Sequence, residues 1–184
     1  MSNVDYTDNI TNENSDSYTQ FYQKISSWIT AKSYRFNTLK IAYTYLPYVF
    51  VVSYIYLAVS TLLSAMINSN YKVLAKIILI PAIAFAVLSI IRKLINFPRP
   101  YEKYSITPLI PKQTKGKSMP SRHTFSACLI ACTWFYTCHY IGIILFILSF
   151  IVAITRILAG VHFIKDNIFS MILAILTGCL FFYL

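Results

Sequence analysis

Acidic side chains are scarce in this sequence, and most of them lie at its beginning. Only six Asp and Glu residues accompany 16 Lys and Arg residues, which gives a formal net charge of +10. Four of the six acids lie within the first 16 positions, so only Glu102 and Asp166 follow. A magnesium site needs several oxygen ligands, so we expect neither a metal ion nor another cofactor. The excess of cations favours an anionic partner such as phosphate or lipid headgroups.

Cysteine is also rare, and its spacing shows no framework of disulfides or zinc ligands. All four cysteines lie inside apolar stretches, where we expect small buried hydrophobic side chains. The N-terminus lacks a basic segment followed by an apolar core, so it does not read as a signal peptide. Residues 1–17 are polar and acidic, and we expect a disordered tail there.

Long apolar runs make up most of the remaining sequence. Hydrophobic residues account for 57% of the chain and the mean hydropathy is +0.60, which is typical of integral membrane proteins. The basic residues are separated by runs of spanning length, which excludes a nucleic-acid partner. We predict an all-α bundle of about five helices that cross the lipid bilayer, preceded by an amphipathic interfacial helix over residues 18–40.

The predicted spans form one domain, residues 41–184. The apolar run 124–158 would be roughly 52 Å long as one helix at 1.5 Å per residue, which is too long for one crossing. We therefore predict a hairpin that turns near His139–Gly142. The spans are residues 41–66, residues 73–95, the two arms of this hairpin and residues 167–184. With this count, the ends of the second and fourth spans and the starts of the third and fifth lie on one membrane face.

Polar and charged residues concentrate at those four helix ends. They form three clusters: residues 92–103 (RKLINFPRPYEK), 115–123 (KGKSMPSRH) and 155–167 (TRILAGVHFIKDN). Basic residues beside a span often serve as interfacial anchors, which would explain Lys93 or Lys112 taken singly. An anchoring role does not explain two histidines and a carboxylate among arginines. Ionisable groups at membrane depth are costly, so these residues are functional candidates.

The residue types in these clusters suit phosphoryl transfer. His162 and Asp166 share a face if they lie on one helix, so the carboxylate can fix the ring tautomer and leave the other nitrogen free to attack. Ser121 and the first amides of the third span would add donors at a helix N-terminus. His123 can protonate a leaving group. Guanidinium groups match phosphate oxygens, and the candidates are Arg92, Arg99 and Arg156.

The three clusters resemble the motifs of the type 2 phosphatidic acid phosphatase (PAP2) superfamily, which read K-x6-R-P, P-S-G-H and S-R-x5-H-x3-D. The corresponding segments here are Arg92-x6-Arg99-Pro100, Pro120-Ser121-Arg122-His123 and Thr155-Arg156-x5-His162-x3-Asp166. The resemblance implies that His162 is a nucleophile that forms a phosphohistidine, that Asp166 orients it and that His123 is the general acid. It also implies a metal-independent reaction in which four residues bind the phosphoryl group: Arg92, Arg99, Ser121 and Arg156.

This sequence departs from the family motifs at three positions. Arg92 replaces a lysine and Thr155 replaces a serine, so the charge and the hydroxyl are kept. Arg122 stands where the family has glycine, a residue that permits close approach of a backbone to a ligand. Arg122 either adds a contact to phosphate or only reshapes the loop.

The resemblance implies a membrane lipid phosphatase. Its substrate would be a phosphate or pyrophosphate monoester of a lipid, such as phosphatidic acid, phosphatidylglycerophosphate or a polyprenyl pyrophosphate. Haloperoxidases share the oxyanion site by binding vanadate, but those relatives resemble soluble proteins. A catalytically silent lipid-phosphate binder or a transporter is the remaining alternative, against which the intact set of His123, His162 and Asp166 argues.

Two criteria disagree about the side of the membrane on which the three clusters lie. Lysines and arginines are more frequent on this face than on the opposite one, so the positive-inside rule places it in the cytoplasm. The family resemblance implies an active site that faces outside the cytoplasm. We adopt the second orientation, because part of the charge would serve an anionic substrate.

Overall fold

The computed structural model describes the backbone of residues 4–183 and the side chains of residues 17–180 and 182. Within residues 4–183 the chain forms helices and no strand, so the predicted all-α class is confirmed. In chain order the helices are α1 (Val4–Thr30), α2 (Ser33–Asn68), α3 (Lys72–Ile95), α4 (Pro100–Lys103), α5 (Arg122–Thr137), α6 (His139–Leu158) and α7 (Ile164–Tyr183).

The N-terminal segment differs from its prediction. The backbone is helical from Val4, whereas the composition predicts a disordered tail over residues 1–17. Tyr22 and Ile29 of α1 are buried against the rest of the protein. A helix extends readily from such an anchored segment, because adding a residue to a helix costs far less than nucleating one. Residues 1–3 lie outside the described part of the chain.

The predicted interfacial helix over residues 18–40 is divided between two elements. α1 ends at Thr30, Lys32 has an extended backbone, and α2 begins at Ser33. The first predicted span, residues 41–66, therefore lies inside a helix of 36 residues. The sequence pattern missed this break because neither proline nor glycine marks it.

The long helices match the predicted spans. Within the described part of the chain, three stretches are long and apolar enough to cross a membrane: Ser33–Asn68, Lys72–Lys103 and His139–Leu158. α5 and α7 contain 16 and 20 residues, which is roughly 24 and 30 Å at 1.5 Å per residue. They correspond to the third and fifth predicted spans. The prediction of a membrane-spanning helical bundle is confirmed.

α5 lies at the centre of the bundle and packs against α2, α3, α6 and α7. Its buried positions include the small residues Ala127 and Ala131, which let neighbouring helices approach closely. α5 and α6 form the predicted hairpin, and it turns at Cys138. Gly142 packs against the backbone of Phe135, where a Cβ atom would not fit.

The outward faces of the helices carry large apolar side chains that are exposed within the protein itself. Val52 on α2, Ile83 on α3 and Ile147 on α6 are each at least 60% exposed. Apolar surface of this extent is suited to contact with lipid chains rather than with water.

Two connections meet at one end of the bundle. Residues 96–121 join α3 to α5 and include α4, and residues 159–163 join α6 to α7. Arg99 donates a hydrogen bond from Nη1 to the carbonyl of Val161, 3.2 Å away, and Ser118 Oγ donates to Asp166 Oδ2. The helix ends that carry the three motifs therefore come together.

Candidate active site

His162 and Asp166 form a buried pair at this end of the bundle. The Nδ1 atom of His162 lies 3.5 Å from Asp166 Oδ2, and the two side chains are 2% and 0% exposed. Asp166 lies in the first turn of α7, whereas His162 precedes the helix and lies in the connection from α6. Asp166 Oδ2 also accepts a hydrogen bond from the backbone N–H of Phe163, at 3.1 Å. The carboxylate thus holds both the ring and the backbone of the loop that carries it.

The environment of His162 favours its neutral form. Burial lowers the pKa of His162 to about 4, while the hydrogen bond with Asp166 acts in the opposite direction and the charge of Arg99 adds to the lowering. The proton of the neutral ring belongs on Nδ1, because that nitrogen faces the carboxylate. The Nε2 lone pair is then free to act as a nucleophile.

Ser118 completes the support of this pair and was not among the predicted site residues. Its hydroxyl donates to Asp166 Oδ2 and lies 3.5 Å from His162 Nδ1. Its backbone N–H donates to the carbonyl of Phe97 at 2.8 Å, which fixes the residue independently of its side chain. Ser118 lies within the second basic cluster, but two residues before the motif Pro120-Ser121-Arg122-His123, so the motif comparison did not reach it.

Arg92 and Arg99 are buried and hold the connection between α4 and α5. Arg92 donates to the carbonyls of Pro120, at 2.8 Å, and Lys117. Arg99 donates from Nε to the carbonyl of Gly116 at 3.1 Å and from Nη1 to Val161. A guanidinium group has five N–H donors, and each arginine uses two of them on these carbonyls.

Glu102, the second carboxylate after the N-terminal segment, has a structural environment. It accepts a hydrogen bond from the backbone N–H of Arg99 at 2.7 Å. Its two oxygens also accept from the backbone N–H of Gly116, at 2.8 and 2.9 Å. Glu102 therefore ties the first motif to the loop that precedes the second.

Ser121 precedes the first residue of α5, makes no capping hydrogen bond with its side chain, and belongs to a buried polar network. Its hydroxyl lies 3.1 Å from the hydroxyl of Thr124, which in turn donates to Asn167 Oδ1 at 2.6 Å. The backbone N–H of Ser121 donates to Ser170 Oγ at 2.7 Å. This network joins α5 to α7, and three of its members, Thr124, Asn167 and Ser170, were not predicted.

Arg156 lies in the last turn of α6 and is held by Tyr43 of α2. Its Nη2 atom donates to the carbonyl of Tyr43 at 3.2 Å, and its guanidinium carbon lies 3.8 Å from the centre of the tyrosine ring. This is a close cation–π contact. The Nε–H of Arg156 is buried and has no hydrogen-bond partner among the described residues.

α1 supports the loop that carries His162. The hydroxyl of Tyr22 donates to the carbonyl of Leu158 at 3.4 Å and accepts from the backbone N–H of Leu109 at 3.1 Å. The same hydroxyl packs on Gly160, which has φ of +75° and leaves no room for a Cβ atom. The N-terminal helix, predicted only to lie at the interface, therefore braces the candidate site.

A cavity of about 590 Å³ adjoins this site. Its charged end is formed by Lys112, Arg122, His123 and Arg156. The rest of its lining is mainly apolar and comes from α2, α3 and α5, with Phe50, Phe85 and Ile130 as examples. His162 does not line the cavity, whereas His123 is exposed to it. The cavity is suited to an amphipathic ligand with an anionic head and an apolar tail.

Lys112 is part of the charged end of this cavity, although the sequence pattern explained it as an interfacial anchor. Burial and the positive charges of four arginines, Arg99 first, lower the pKa of Lys112 to about 8. A lysine in such a field binds an anion strongly, because the anion relieves the repulsion between the cations.

The eight residues predicted for the site thus fall into two groups in the structure. Five surround the buried histidine–carboxylate pair and its loops: His162, Asp166, Arg92, Arg99 and Ser121. The other three line the cavity: Arg122, His123 and Arg156.

Comparison with known proteins agrees with the motifs. The profile of the PAP2 superfamily matches residues 53–184. The undecaprenyl-diphosphatase BcrC of Bacillus subtilis (strain 168) is 34% identical over 104 residues, which cover 56% of this chain and 53% of the relative. The chain thus matches about half the length of this curated relative.

Two solved structures resemble the chain. The crystal structure of Aquifex aeolicus LpxE has a TM-score of 0.63 and 23% sequence identity, and covers 90% of this chain and 94% of that one. The PAP2-type phosphatidylglycerolphosphate phosphatase of Bacillus subtilis has a TM-score of 0.48 and 20% identity, over 89% and 92% of the two chains. LpxE therefore shares the fold, and the profile match covers well over half of the chain. The chain belongs to the PAP2 superfamily.

Proposed function

We propose that this chain is a membrane lipid phosphatase. It hydrolyses a phosphate or pyrophosphate monoester of a lipid through a phosphohistidine intermediate, without a metal ion. The observation that carries the proposal is the buried pair of His162 and Asp166, in which Nδ1 faces the carboxylate and burial lowers the pKa of the ring, which favours its neutral form. A neutral imidazole oriented in this way is a competent nucleophile towards phosphorus.

In the first step, Nε2 of His162 attacks the phosphorus atom and the bond to the leaving oxygen breaks. The oxygen departs with the bonding electrons and takes a proton from His123. The free donors of Arg92, Arg99 and Arg156 stabilise the charge on the equatorial oxygens, because guanidinium groups match their geometry. Asp166 stabilises the positive charge that develops on the ring of His162.

In the second step, water attacks the phosphohistidine on phosphorus. His123, now neutral, accepts a proton from the water. The bond between phosphorus and Nε2 breaks, inorganic phosphate is released, and His162 returns to its neutral form. His123 is suited to both proton transfers because it is exposed to the cavity rather than sealed inside the bundle.

The shape of the cavity supports a lipid substrate. Its charged end lies beside the motif loops, and its apolar lining comes from helices that cross the membrane. An acyl or isoprenoid chain can therefore stay among apolar side chains while the phosphate reaches the arginines. The relative BcrC, which is named as an undecaprenyl-diphosphatase, supports this substrate class.

We also propose that the site faces outside the cytoplasm. Several cations that favour the opposite orientation have local tasks: Arg92 and Arg99 hold the loops, and Lys112 lines the cavity. These charges therefore carry less weight in the positive-inside rule.

Cysteine labelling in intact cells tests the orientation. Gln113→Cys lies in the loop beside the site, and Asn70→Cys lies in the turn between α2 and α3 at the opposite end. Both changes are made in a chain whose accessible cysteines, Cys138 and Cys179, are replaced by serine. A membrane-impermeant maleimide should then label only Gln113→Cys until the cells are opened. Labelling of Asn70→Cys alone in intact cells would show that the site faces the cytoplasm.

Phosphate release from lipid phosphates by the purified protein tests the activity. We expect His162→Ala to abolish release while it leaves the protein in the membrane fraction. The matched control is His139→Ala, because His139 is exposed at the start of α6, beyond the hairpin turn. Substrate binding without any turnover by the unaltered protein would instead favour a catalytically silent binder or a transporter.

A further inference from the structure

The charged end of the cavity holds two cations that transfer of a single phosphoryl group does not use. Lys112 comes from the loop before α5, and Arg122 is the first residue of that helix. Both line the cavity beside His123. Among the described residues, neither side chain has a hydrogen-bonding partner or a carboxylate beside it.

The clustering of these cations is costly without an anion. Lys112 lies in the field of Arg99, Arg156, Arg92 and Arg122, and this repulsion adds to its burial in lowering its pKa to about 8. Like charges placed together inside a half-buried cavity destabilise the protein itself. Such a cluster is typical of a site for a polyanion, whose charge reverses the repulsion.

The geometry of the reaction places Lys112 and Arg122 apart from the arginines that bind the transferred phosphoryl group. In an in-line displacement the nucleophile and the leaving oxygen lie on opposite sides of phosphorus. His162 attacks from one side, and His123 serves the leaving oxygen on the other. Lys112 and Arg122 share the cavity with His123, so the leaving group passes them on its way to the apolar lining.

We propose that Lys112 and Arg122 form a second phosphate subsite, which binds the lipid-proximal phosphate of a lipid diphosphate. This inference rests on the proposed phosphatase activity and names its substrate class. An alcohol released from a monophosphate would be neutral and would gain nothing from two cations. A lipid phosphate released from a diphosphate is an anion throughout the reaction.

The step balances as a hydrolysis. The bond between His162 Nε2 and the terminal phosphorus forms, and the bond from that phosphorus to the bridging oxygen breaks. The bridging oxygen keeps the electron pair and leaves on the lipid monophosphate. Water then releases inorganic phosphate from His162, so one diphosphate and one water give one lipid monophosphate and one inorganic phosphate.

The test compares farnesyl diphosphate with farnesyl monophosphate, which share one apolar chain. The purified full-length protein and its Lys112→Gln, Arg122→Gln and double variants are assayed for phosphate release in detergent. Lys115→Gln is the matched control, because Lys115 is exposed in the same loop and does not line the cavity. Thermal unfolding of each variant establishes that it is folded.

We expect the unaltered protein to favour the diphosphate in kcat/KM. Each single variant should lower kcat/KM for the diphosphate by roughly 10- to 100-fold, the range for loss of a charge-assisted hydrogen bond. The value for the monophosphate should change by less than about threefold, because its neutral alcohol leaving group carries no charge for these two cations to bind. Lys115→Gln should leave both values unchanged.

A second measurement does not depend on turnover. Methylenediphosphonate, which has two linked phosphonate groups, should inhibit the unaltered protein more strongly than methylphosphonate, and the double variant should lose this difference. Equal losses for both farnesyl substrates, or equal inhibition by the two phosphonates, would overturn the subsite while leaving the phosphatase activity intact. Release of phosphate from neither substrate by the unaltered protein would overturn the proposed function, and the subsite with it.

Discussion

Removal of the Ser118 hydroxyl should slow the chemical step without weakening substrate binding. The hydroxyl donates to Asp166 Oδ2, which also faces His162 Nδ1 and the N–H of Phe163. The other carboxylate oxygen has no partner among the described residues. Ser118→Ala therefore removes one of the few groups that fix the orientation of Asp166 and, through it, of the nucleophile.

The size of the expected fall in kcat follows from the kind of hydrogen bond that is lost. A buried hydrogen bond to a charged group contributes about 1.5–3 kcal/mol, and about 1.4 kcal/mol corresponds to a tenfold change. We expect kcat to fall by roughly 10- to 100-fold if most of this free energy serves the transition state. KM should stay within about twofold, because the phosphate-binding arginines are untouched.

The variant should keep its fold, because the backbone of Ser118 is held by Phe97 and the flanking carbonyls of Lys117 and Pro120 are held by Arg92. Steady-state kinetics on a lipid phosphate gives kcat and KM separately. Ser89→Ala is the control, since it removes a hydroxyl that bonds only within α3. An unchanged kcat, or a rise in KM alone, would refute the positioning role of Ser118.

Three further predictions concern charge, metal and proton transfer. Lys112 is charged below its pKa of about 8 and loses that charge as the pH rises, so kcat/KM for the diphosphate should fall above about pH 8. Lys112→Gln should remove this pH dependence. The same fall of kcat/KM at high pH in the variant would assign it to another group. Phosphate release should continue in excess EDTA, because no three His, Cys, Asp or Glu side chains among the described residues gather at a metal-binding spacing. Loss of activity that added magnesium restores would contradict this. His123→Ala should slow hydrolysis of an alkyl phosphate far more than that of p-nitrophenyl phosphate, because the nitrophenolate leaving group needs little protonation. The comparison applies to assays in which formation of the phosphoenzyme limits the rate. Equal slowing of the two substrates would make His123 a binding residue.

The sequence predicted the parts of the site that follow from topology. Motifs at alternate helix ends must meet on one face of an up-and-down bundle, and the contact of Arg99 with Val161 agrees with that reasoning. The pairing of His162 with Asp166 was predicted from their spacing and is found at 3.5 Å. The expected common helical face is wrong in detail, because the chain turns between the two residues at the start of α7.

The contacts of Ser118, Tyr22 and Lys112 could not be predicted, because each depends on how a loop or a terminal helix folds back. Lys112 lies eight residues before the second motif, and only the path of the intervening chain brings it to the cavity. Tyr22 reaches Gly160 across more than a hundred residues of sequence. Hydrophobic periodicity says which face of a helix is buried, but it does not say which partner covers it.

The role of Arg92 and Arg99 also differs from what the motif alone suggested. A motif names residue types, and arginine suits phosphate, so both were predicted as phosphate ligands. In the structure both donate to backbone carbonyls of the loops around the site. They therefore shape these loops, and the donors that remain are the ones available to phosphate.

The most direct test of the proposed mechanism is to trap the phosphoenzyme. The purified protein is mixed with a lipid phosphate labelled in its terminal phosphoryl group, quenched within the first turnover and digested into peptides. The mechanism predicts label that is stable in alkali and lost in acid, carried by the peptide that contains His162 and absent from His162→Ala. Turnover by the unaltered protein with no labelled intermediate, or with the same label on His162→Ala, would contradict it.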